Sequence, residues 1–322
     1  MIDVLLTEHA FREYRDRLGR AGVPTRLIRV RKDGELVVDG VPPDVVPQPE
    51  VAWLTAEAFY DGVVVAFFDA VAAARTLRWL HSPAAGVDLP FFAGLAERGV
   101  RVTTSHVNAV PIAEYVLAAV LSHYLGLDEW RAAQAARAWR HHEFREVDGT
   151  TWLVVGLGAI GAAVATRARV FGAHVVGVRR TPRGDEPVAE LLTPDRVLDA
   201  VPRADVVVLA APGTAATRHL VDDQFLAAMR PGSVLVNVAR GSLIDEPALL
   251  RALERGVPEA AILDVFDTEP LPDGHPLRTA PRTLLTPHVG YVTAGTYRVF
   301  YSGAVEAIRA FLDGQPIRLL GP

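Results

Sequence analysis

The chain has 322 residues, half of them hydrophobic, a net charge of −5 and no cysteine. This length and apolar content predict about two globular domains with sizeable cores. The negative charge argues against a nucleic-acid surface, and the lack of cysteine excludes disulfides, thiol nucleophiles and thiolate metal sites.

Lys32 is the only lysine, which removes Schiff-base chemistry and a Walker-type phosphate lysine from consideration. The first residues, MIDVLLTEHAF, carry acidic and polar side chains too early for a signal peptide. No apolar run reaches the roughly 18 residues that a membrane span needs. We therefore expect a cytoplasmic protein with no membrane or nucleic-acid partner, and we predict no metal site.

Apolar runs and helical stretches alternate along most of the chain. Strands are predicted at residues 2–6, 23–30, 51–54, 77–82, 101–104, 152–155, 174–178, 205–210, 233–238, 260–264 and 283–286. Helices are predicted at 10–19, 67–75, 89–98, 112–125, 128–140, 222–229, 245–254 and 293–312, with a further helix opening near residue 159. This alternation predicts an α/β fold of two doubly wound parallel-sheet domains, with a cleft between two lobes.

A glycine-rich turn joins the strand at 152–155 to the helix that follows. It reads Gly156-Leu157-Gly158-Ala159-Ile160-Gly161, and a second apolar run begins at His174. A strand, G-x-G-x-x-G, a helix and a strand form the dinucleotide-binding fingerprint in its proper context. Gly156 permits the tight turn, Gly158 lets backbone N–H groups approach a pyrophosphate, and Gly161 allows close helix–strand packing. The helix N-terminus adds positive potential for phosphates.

After the glycine turn, three side chains of types that commonly act in catalysis follow predicted strands. Arg240 follows the strand at 233–238, Glu269 the strand at 260–264, and His288 the strand at 283–286. Ligands of open α/β sheets bind at this carboxyl edge. An arginine can grip a carboxylate by two parallel hydrogen bonds, a histidine can carry a proton near neutral pH, and a carboxylate can orient that histidine. Any one of the three could be an ordinary capping or loop residue, but together they predict a catalytic group.

The chain resembles the D-2-hydroxyacid dehydrogenase family, which includes the glyoxylate/hydroxypyruvate reductases. The resemblance covers nearly the whole chain and is densest between Leu80 and Tyr291. Its motifs are SPAAGVD at 82–88, Ala113-Glu114, the glycine turn, APGTAAT at 211–217, NVARG at 237–241, DVFDTEP at 264–270 and TPHVG at 286–290. The resemblance implies a substrate domain of residues 1–101 plus 287–322 and a Rossmann dinucleotide-binding domain of residues 102–286.

The resemblance also implies roles. Arg240 would bind the carboxylate and carbonyl of a 2-oxo acid, His288 would protonate the carbonyl oxygen, and Glu269 would keep His288 protonated. Backbone N–H groups near Ala85 and Gly86 would hold the substrate carboxylate. Asp264 would meet the nicotinamide carboxamide. Cofactor contacts are expected from Gly156, Gly158, Ala159, Ile160, Gly161, Arg179, Arg180, Arg183, Ala211, Pro212, Thr217, Val238, Ala239, Arg240, Asp264, His288 and Gly290.

One departure from the family bears on the cofactor. Relatives that use NAD usually carry an acidic residue after the second strand, whereas this chain has Arg179-Arg180-Thr181-Pro182-Arg183. Guanidinium groups suit a 2′-phosphate, so NADP is expected to be preferred, with NAD possible. An arginine-rich chain also places arginines in loops by composition alone. A second departure, Leu89-Pro90 where the family commonly has an acid, has no interpretation.

The helices at 112–125 and 128–140 carry more apolar surface than one lobe needs, including Tyr115, Tyr124, Trp130 and Trp139. Relatives dimerise through this region, so we expect a homodimer in which Trp139 reaches the partner's active site; packing within the lobe is the alternative. A dinucleotide-sensing, corepressor-like binding protein stays open as the second functional class, because such proteins keep the same catalytic residues.

Overall fold

A computed structural model of the chain describes residues 1–42, 47–83 and 90–315. It divides into two compact units, one of Met1–Asn108 with Thr293–Pro322 and one of Ala109–Val292. The domain boundaries expected above, 101/102 and 286/287, and the roles given to the two domains stay predictions.

The strands are β1 (Ile2–Thr7), β2 (Thr25–Val30), β3 (Leu36–Val38), β4 (Val51–Trp53), β5 (Trp79–Ser82), β6 (Arg101–Thr104), β7 (Thr151–Val155), β8 (His174–Val178), β9 (Glu190–Leu192), β10 (Val206–Leu209), β11 (Val234–Asn237), β12 (Ala260–Leu263) and β13 (Thr283–Leu285). The α-helices are α1 (Glu8–Arg20), α2 (Glu57–Tyr60), α3 (Val64–Ala73), α4 (Pro90–Glu97), α5 (Ala109–Leu125), α6 (Leu127–Ala135), α7 (Ala159–Val170), α8 (Val197–Ala200), α9 (Asp223–Ala228), α10 (Glu246–Arg255) and α11 (Ala294–Leu312).

The first unit is built on a sheet with the order β3-β2-β1-β4-β5-β6. Its strands pair in parallel, except that β3 runs antiparallel to β2 at the edge. The side chains of successive residues in β1 point to opposite faces of the sheet, as the two-residue period of a β-strand requires. Val4 packs with Tyr14 of α1 and Ile308 of α11, whereas Leu5 packs in the core that contains Phe67 of α3. Helices therefore cover both faces.

The second unit contains a parallel seven-stranded sheet of order β13-β12-β11-β10-β7-β8-β9. The chain order reverses between β7 and β10, which makes the space beyond their carboxyl ends the topological switch point. Trp152 and Val154 of β7 pack in a core shared with α5 and α7, and Leu153 and Val155 pack in the core shared with α9 and α10. The predicted α/β class is confirmed, with the antiparallel edge strand β3 as an addition.

The structure corrects the predicted helix at 128–140. Gly126, in a left-handed conformation, separates α5 from α6, and α6 ends at Ala135. Arg137 has φ +51°, a left-handed residue of the kind that commonly ends a helix, so the favourable Ala and Arg composition does not extend it. Among the described residues no single helix could cross a membrane; α5 and α6 meet the length and composition criteria only jointly, with a 57° bend.

Candidate functional site

The glycine turn lies at the switch point, between β7 and α7. Gly156 has φ +99°, and a Cβ there would lie 2.6 Å from the Cα of Ala211, which follows β10. A Cβ on Gly161 would lie 1.9 Å from the carbonyl oxygen of Gly156. A Cβ on Gly158, the N-cap of α7, would meet no atom within 4 Å. Gly156 and Gly161 are thus required by packing, whereas Gly158 borders open space at a helix N-terminus. This geometry fits a dinucleotide pyrophosphate.

The arginine run begins directly after β8, but its first member is engaged with the protein itself. Arg179 donates from Nη1 to the carbonyl of Leu157 at 2.6 Å and from Nε to the carbonyl of Thr181 at 2.7 Å. Its Nε also lies 3.6 Å from a carboxylate oxygen of Glu186. Arg180 and Arg183 are exposed. Arg179 therefore spans the glycine turn and the loop after β8, and the other two face solvent.

The loop after β10 is stabilised by its own threonines and packs on Arg240. The hydroxyl of Thr217 accepts from the N–H of Thr214 at 2.8 Å and donates to the carbonyl of Pro212 at 2.7 Å. A Cβ on Gly213 would lie 3.0 Å from Cγ of Arg240. The stem of Arg240 therefore packs directly against this loop.

The strands that lead to Arg240, Glu269 and His288 end in register. Asn237 of β11 pairs with Leu263 of β12, which pairs with Leu285 of β13. The side chain of Asn237, fully buried, donates to the carbonyl of Arg240 at 2.8 Å and accepts from the N–H of Ala239 at 3.0 Å. This amide fixes the turn over Val238 and Ala239 that leads to Arg240. Sequence reasoning did not assign it a role, although it opens the quoted NVARG motif.

Glu269 and His288 form a hydrogen-bonded pair. His288 Nδ1 lies 2.9 Å from one carboxylate oxygen of Glu269, and the other oxygen accepts the N–H of Phe266 at 3.0 Å. Partial burial raises the pKa of Glu269, but the hydrogen bonds from His288 and Phe266 and the nearby charges of His288 and Arg240 outweigh it. The net pKa of this carboxyl is therefore below its usual value, and it is ionised at neutral pH.

Gly241 brings the loop of Arg240 against the loop of Glu269. A Cβ on Gly241 would lie 1.8 Å from the carbonyl carbon of Phe266, a distance that no side chain can have. Glu246, at the start of α10, accepts the N–H of Asp267 at 3.0 Å and lies 3.2 Å from Nε2 of His275. Contacts with Gly241 and Glu246 thus hold the loop that carries Glu269, and no sequence pattern had indicated them.

Asp264, the first residue after β12, is 3% exposed and supports the segment that carries His288. Its carboxylate accepts from the Thr286 hydroxyl at 2.6 Å, the Val289 N–H at 2.9 Å and the Gly290 N–H at 3.0 Å. Its backbone carbonyl accepts the N–H of His288 at 2.8 Å. His288 itself has φ +54°, a left-handed conformation that these bonds maintain.

Tyr115 of α5 completes this network, and sequence reasoning had placed it on an apolar surface instead. Its hydroxyl lies 2.7 Å from the Thr286 hydroxyl, and burial raises the pKa of Tyr115 to about 12. Tyr124, from the same predicted surface, is buried in the core of its own unit. Trp139 is the exception, with 93% exposure. Ala85 and Gly86 lie outside the described residues.

Comparison with known proteins shows the family. A model of the D-isomer specific 2-hydroxyacid dehydrogenase NAD-binding domain matches residues 117–290. A solved D-isomer specific 2-hydroxyacid dehydrogenase from Xanthobacter autotrophicus Py2, in complex with NADPH and MES, has 29% identity and a TM-score of 0.76, with coverage of 98% of this chain and 96% of that one. The chain belongs to the D-isomer specific 2-hydroxyacid dehydrogenase family, as the motifs predicted.

Curated relatives carry different enzyme names. A D-3-phosphoglycerate dehydrogenase of Mycobacterium leprae is 36% identical over 77% of this chain and 47% of its own length. A glyoxylate/hydroxypyruvate reductase A of Serratia proteamaculans is 34% identical over 56% of this chain and 58% of its own. The chain thus spans about half the length of the curated relatives it matches.

Proposed function

We propose that this protein is an NAD(P)-dependent D-2-hydroxyacid dehydrogenase that acts as a reductase of small 2-oxo acids of the glyoxylate/hydroxypyruvate type. The observation that carries the proposal is the His288–Glu269 pair, with its 2.9 Å contact, on the sheet edge that also carries Arg240. A proton carrier, its counter-ion and a carboxylate-binding cation at the carboxyl end of a dinucleotide-binding sheet are the groups that reduction of a 2-oxo acid needs.

Arg240 binds the substrate in this proposal. Its planar guanidinium matches a carboxylate with two parallel hydrogen bonds and can also polarise the adjacent carbonyl. Asn237 and the loop around Gly213 hold its backbone and stem. Backbone N–H groups at Ala85 and Gly86 are proposed as the second contact to the substrate carboxylate.

His288 moves the proton. Its Nδ1 is bonded to Glu269, which leaves Nε2 as the ring nitrogen that can face a carbonyl oxygen. The ionised Glu269 favours the imidazolium, which donates its proton to that oxygen during reduction and recovers it during oxidation. The side chains of His288 and Glu269 are 41% and 35% exposed, so a small substrate can reach the pair.

The nicotinamide cofactor, when bound, supplies the hydride. We propose that Gly156, Gly158 and the N–H groups of Ala159, Ile160 and Gly161 hold its pyrophosphate, and that Asp264 meets its carboxamide. Further contacts are proposed from Ala211, Pro212, Thr217, Val238, Ala239, Arg240, His288 and Gly290. NADP is the proposed preferred form because Arg180 and Arg183 offer exposed cations beside Arg179, and NAD is the second form.

A substrate panel tests the function. Purified protein is assayed with NADPH and NADH against glyoxylate, hydroxypyruvate, 3-phosphohydroxypyruvate and a bulkier 2-oxo acid. The expected result is turnover with the highest kcat/KM for the two small acids and for NADPH. A preference for the phosphorylated acid would move the specificity toward the phosphoglycerate dehydrogenases. Cofactor binding without any turnover would favour the dinucleotide-sensing class.

We also propose a homodimer formed through the region of α5 and α6. Residues 136–146, which follow α6, are all exposed or half-buried, and they include Trp139. An indole with this exposure, in a segment without regular secondary structure, suits insertion into a partner subunit, where Trp139 would approach the partner's substrate site.

A further inference from the structure

Glu186 occupies an anion-binding arrangement in the loop after β8. Its carboxylate accepts the N–H of Arg183 at 2.6 Å and the N–H of Gly184 at 2.9 Å, and it lies 3.6 Å from Nε of Arg179. Gly184 has φ +90°, which turns the two successive N–H groups toward one point. The Glu186 side chain is only 5% exposed, although residues 181–185 around it are exposed.

This arrangement lies beside the glycine turn. Arg179 reaches from Glu186 to the carbonyl of Leu157, which stands between Gly156 and Gly158. Two backbone N–H groups and a guanidinium are donors that suit a phosphate as well as a carboxylate. The hydrogen bond from the Arg183 N–H is the largest of the effects that lower the pKa of Glu186 below its usual value. The Glu186 carboxylate is therefore ionised at neutral pH. The Glu186 carboxylate therefore occupies the position beside Arg179 at which an anionic group of a ligand would otherwise bind.

We propose that Glu186 competes with the cofactor's 2′-phosphate for Arg179 and for the N–H groups of Arg183 and Gly184, and thereby limits the preference for NADPH. The inference rests on the proposed dinucleotide function and adds a specificity-determining residue to it. Arg180 and Arg183, whose side chains are exposed, then provide the attraction for the 2′-phosphate that Glu186 does not offset.

The test is a substitution that removes the negative charge of Glu186 and keeps the size and shape of its side chain. Glu186→Gln retains one oxygen to accept an N–H but no longer repels a phosphate. The matched control is Asp185→Asn, which makes the same change in net charge at the exposed neighbouring residue. Binding of 2′,5′-ADP and of 5′-AMP is measured by calorimetry for both variants and wild type, with circular dichroism as the check of folding.

The expected result is about tenfold tighter 2′,5′-ADP binding in Glu186→Gln, which corresponds to the loss of about 1.4 kcal/mol of repulsion, with 5′-AMP unchanged. Asp185→Asn should shift 2′,5′-ADP binding much less. Equal shifts in the two variants would reduce the effect to net charge and overturn the proposal. Unchanged 2′,5′-ADP binding would also overturn the proposal. A parallel loss of binding of both ligands would overturn it too, because that result is expected if Glu186 only maintains the structure of the loop.

Glu186→Ala provides a second variant if the glutamine protein does not fold, and loss of folding in both assigns the carboxylate to loop structure and overturns the inference. The proposed NADPH preference is read separately, from the ratio of the two ligands in wild type. A wild type that prefers 5′-AMP contradicts that preference, whereas the role of Glu186 is judged by the change between wild type and variant.

Discussion

At the scale of single residues, each of the three predicted catalytic residues is held in place by a hydrogen bond with a nearby residue of the same sheet edge. Glu269 is fixed by the N–H of Phe266, Arg240 by the amide of Asn237, and His288 by the backbone carbonyl of Asp264. Such support pre-organises the charges before a substrate arrives, which is where most of the catalytic benefit of a polar site originates.

The His288–Glu269 pair predicts a change in pH dependence. In the proposed mechanism reduction needs the imidazolium, so we expect activity to be lost as pH rises and His288 loses its proton. Glu269 is ionised at neutral pH because its pKa is lowered, and Glu269→Gln removes that negative charge. The alkaline loss of kcat/KM should therefore move to lower pH in this variant. His288→Ala, as the reference, should lose turnover by orders of magnitude; an unmoved profile in Glu269→Gln would contradict the pairing.

Arg240→Lys tests the planar recognition of the substrate acid group. Lysine keeps the charge but loses the two-pronged donor geometry, and a lost charge-assisted hydrogen bond of about 1.5–3 kcal/mol corresponds to at least roughly tenfold in kcat/KM. The loss is expected for every 2-oxo acid in steady-state assays. Near-normal efficiency would place the carboxylate contact elsewhere.

At the scale of elements, neighbouring loops fit together only where glycine permits it. The 1.8 Å distance from a Cβ on Gly241 to the carbonyl carbon of Phe266 means that any side chain would push the Arg240 and Glu269 loops apart. The pairing of β11, β12 and β13 aligns the ends of these strands, and the close packing at Gly241 brings the Arg240 and Glu269 loops into contact.

Gly241→Ala is accordingly expected to destabilise the protein by about 1–3 kcal/mol and to lower kcat. Gly94→Ala is the matched control, because Gly94 is exposed within α4 and a Cβ there meets nothing within 4 Å. That variant should gain about 0.5–1 kcal/mol from helix propensity. Denaturant unfolding of both proteins makes the comparison, and equal effects would disprove the close packing at Gly241.

The alternation of apolar runs was enough to predict the α/β class, because buried parallel strands have a strong sequence pattern. The family was predicted from the resemblance of the ordered motifs between Leu80 and Tyr291. The three-residue strands β3 and β9 were missed, since such short runs carry little pattern. The return of Glu186 to Arg179 was also not predicted. Only the fold of the loop brings the side chains of Glu186 and Arg179 together.

At the scale of the whole molecule, the assembly proposal can be tested through Trp139. Light scattering at micromolar concentration should give twice the 34.8 kDa chain mass. Trp139→Ser should weaken the dimer, whereas Val170→Ser, at an apolar side chain of α7 that is 82% exposed, should leave it intact. A monomeric wild type would refute the dimer.

The bonds around Asp264 have a consequence for the local opening of the chain. Residues 288–290 belong to no helix or strand, yet the amides of His288, Val289 and Gly290 all donate to this one residue. Their hydrogens should exchange with deuterium slowly and as a group, on the timescale of the β12–β13 pair rather than that of a surface loop. Asp264→Ala should release the amides of Val289 and Gly290 together, because both donate to the carboxylate that this substitution removes.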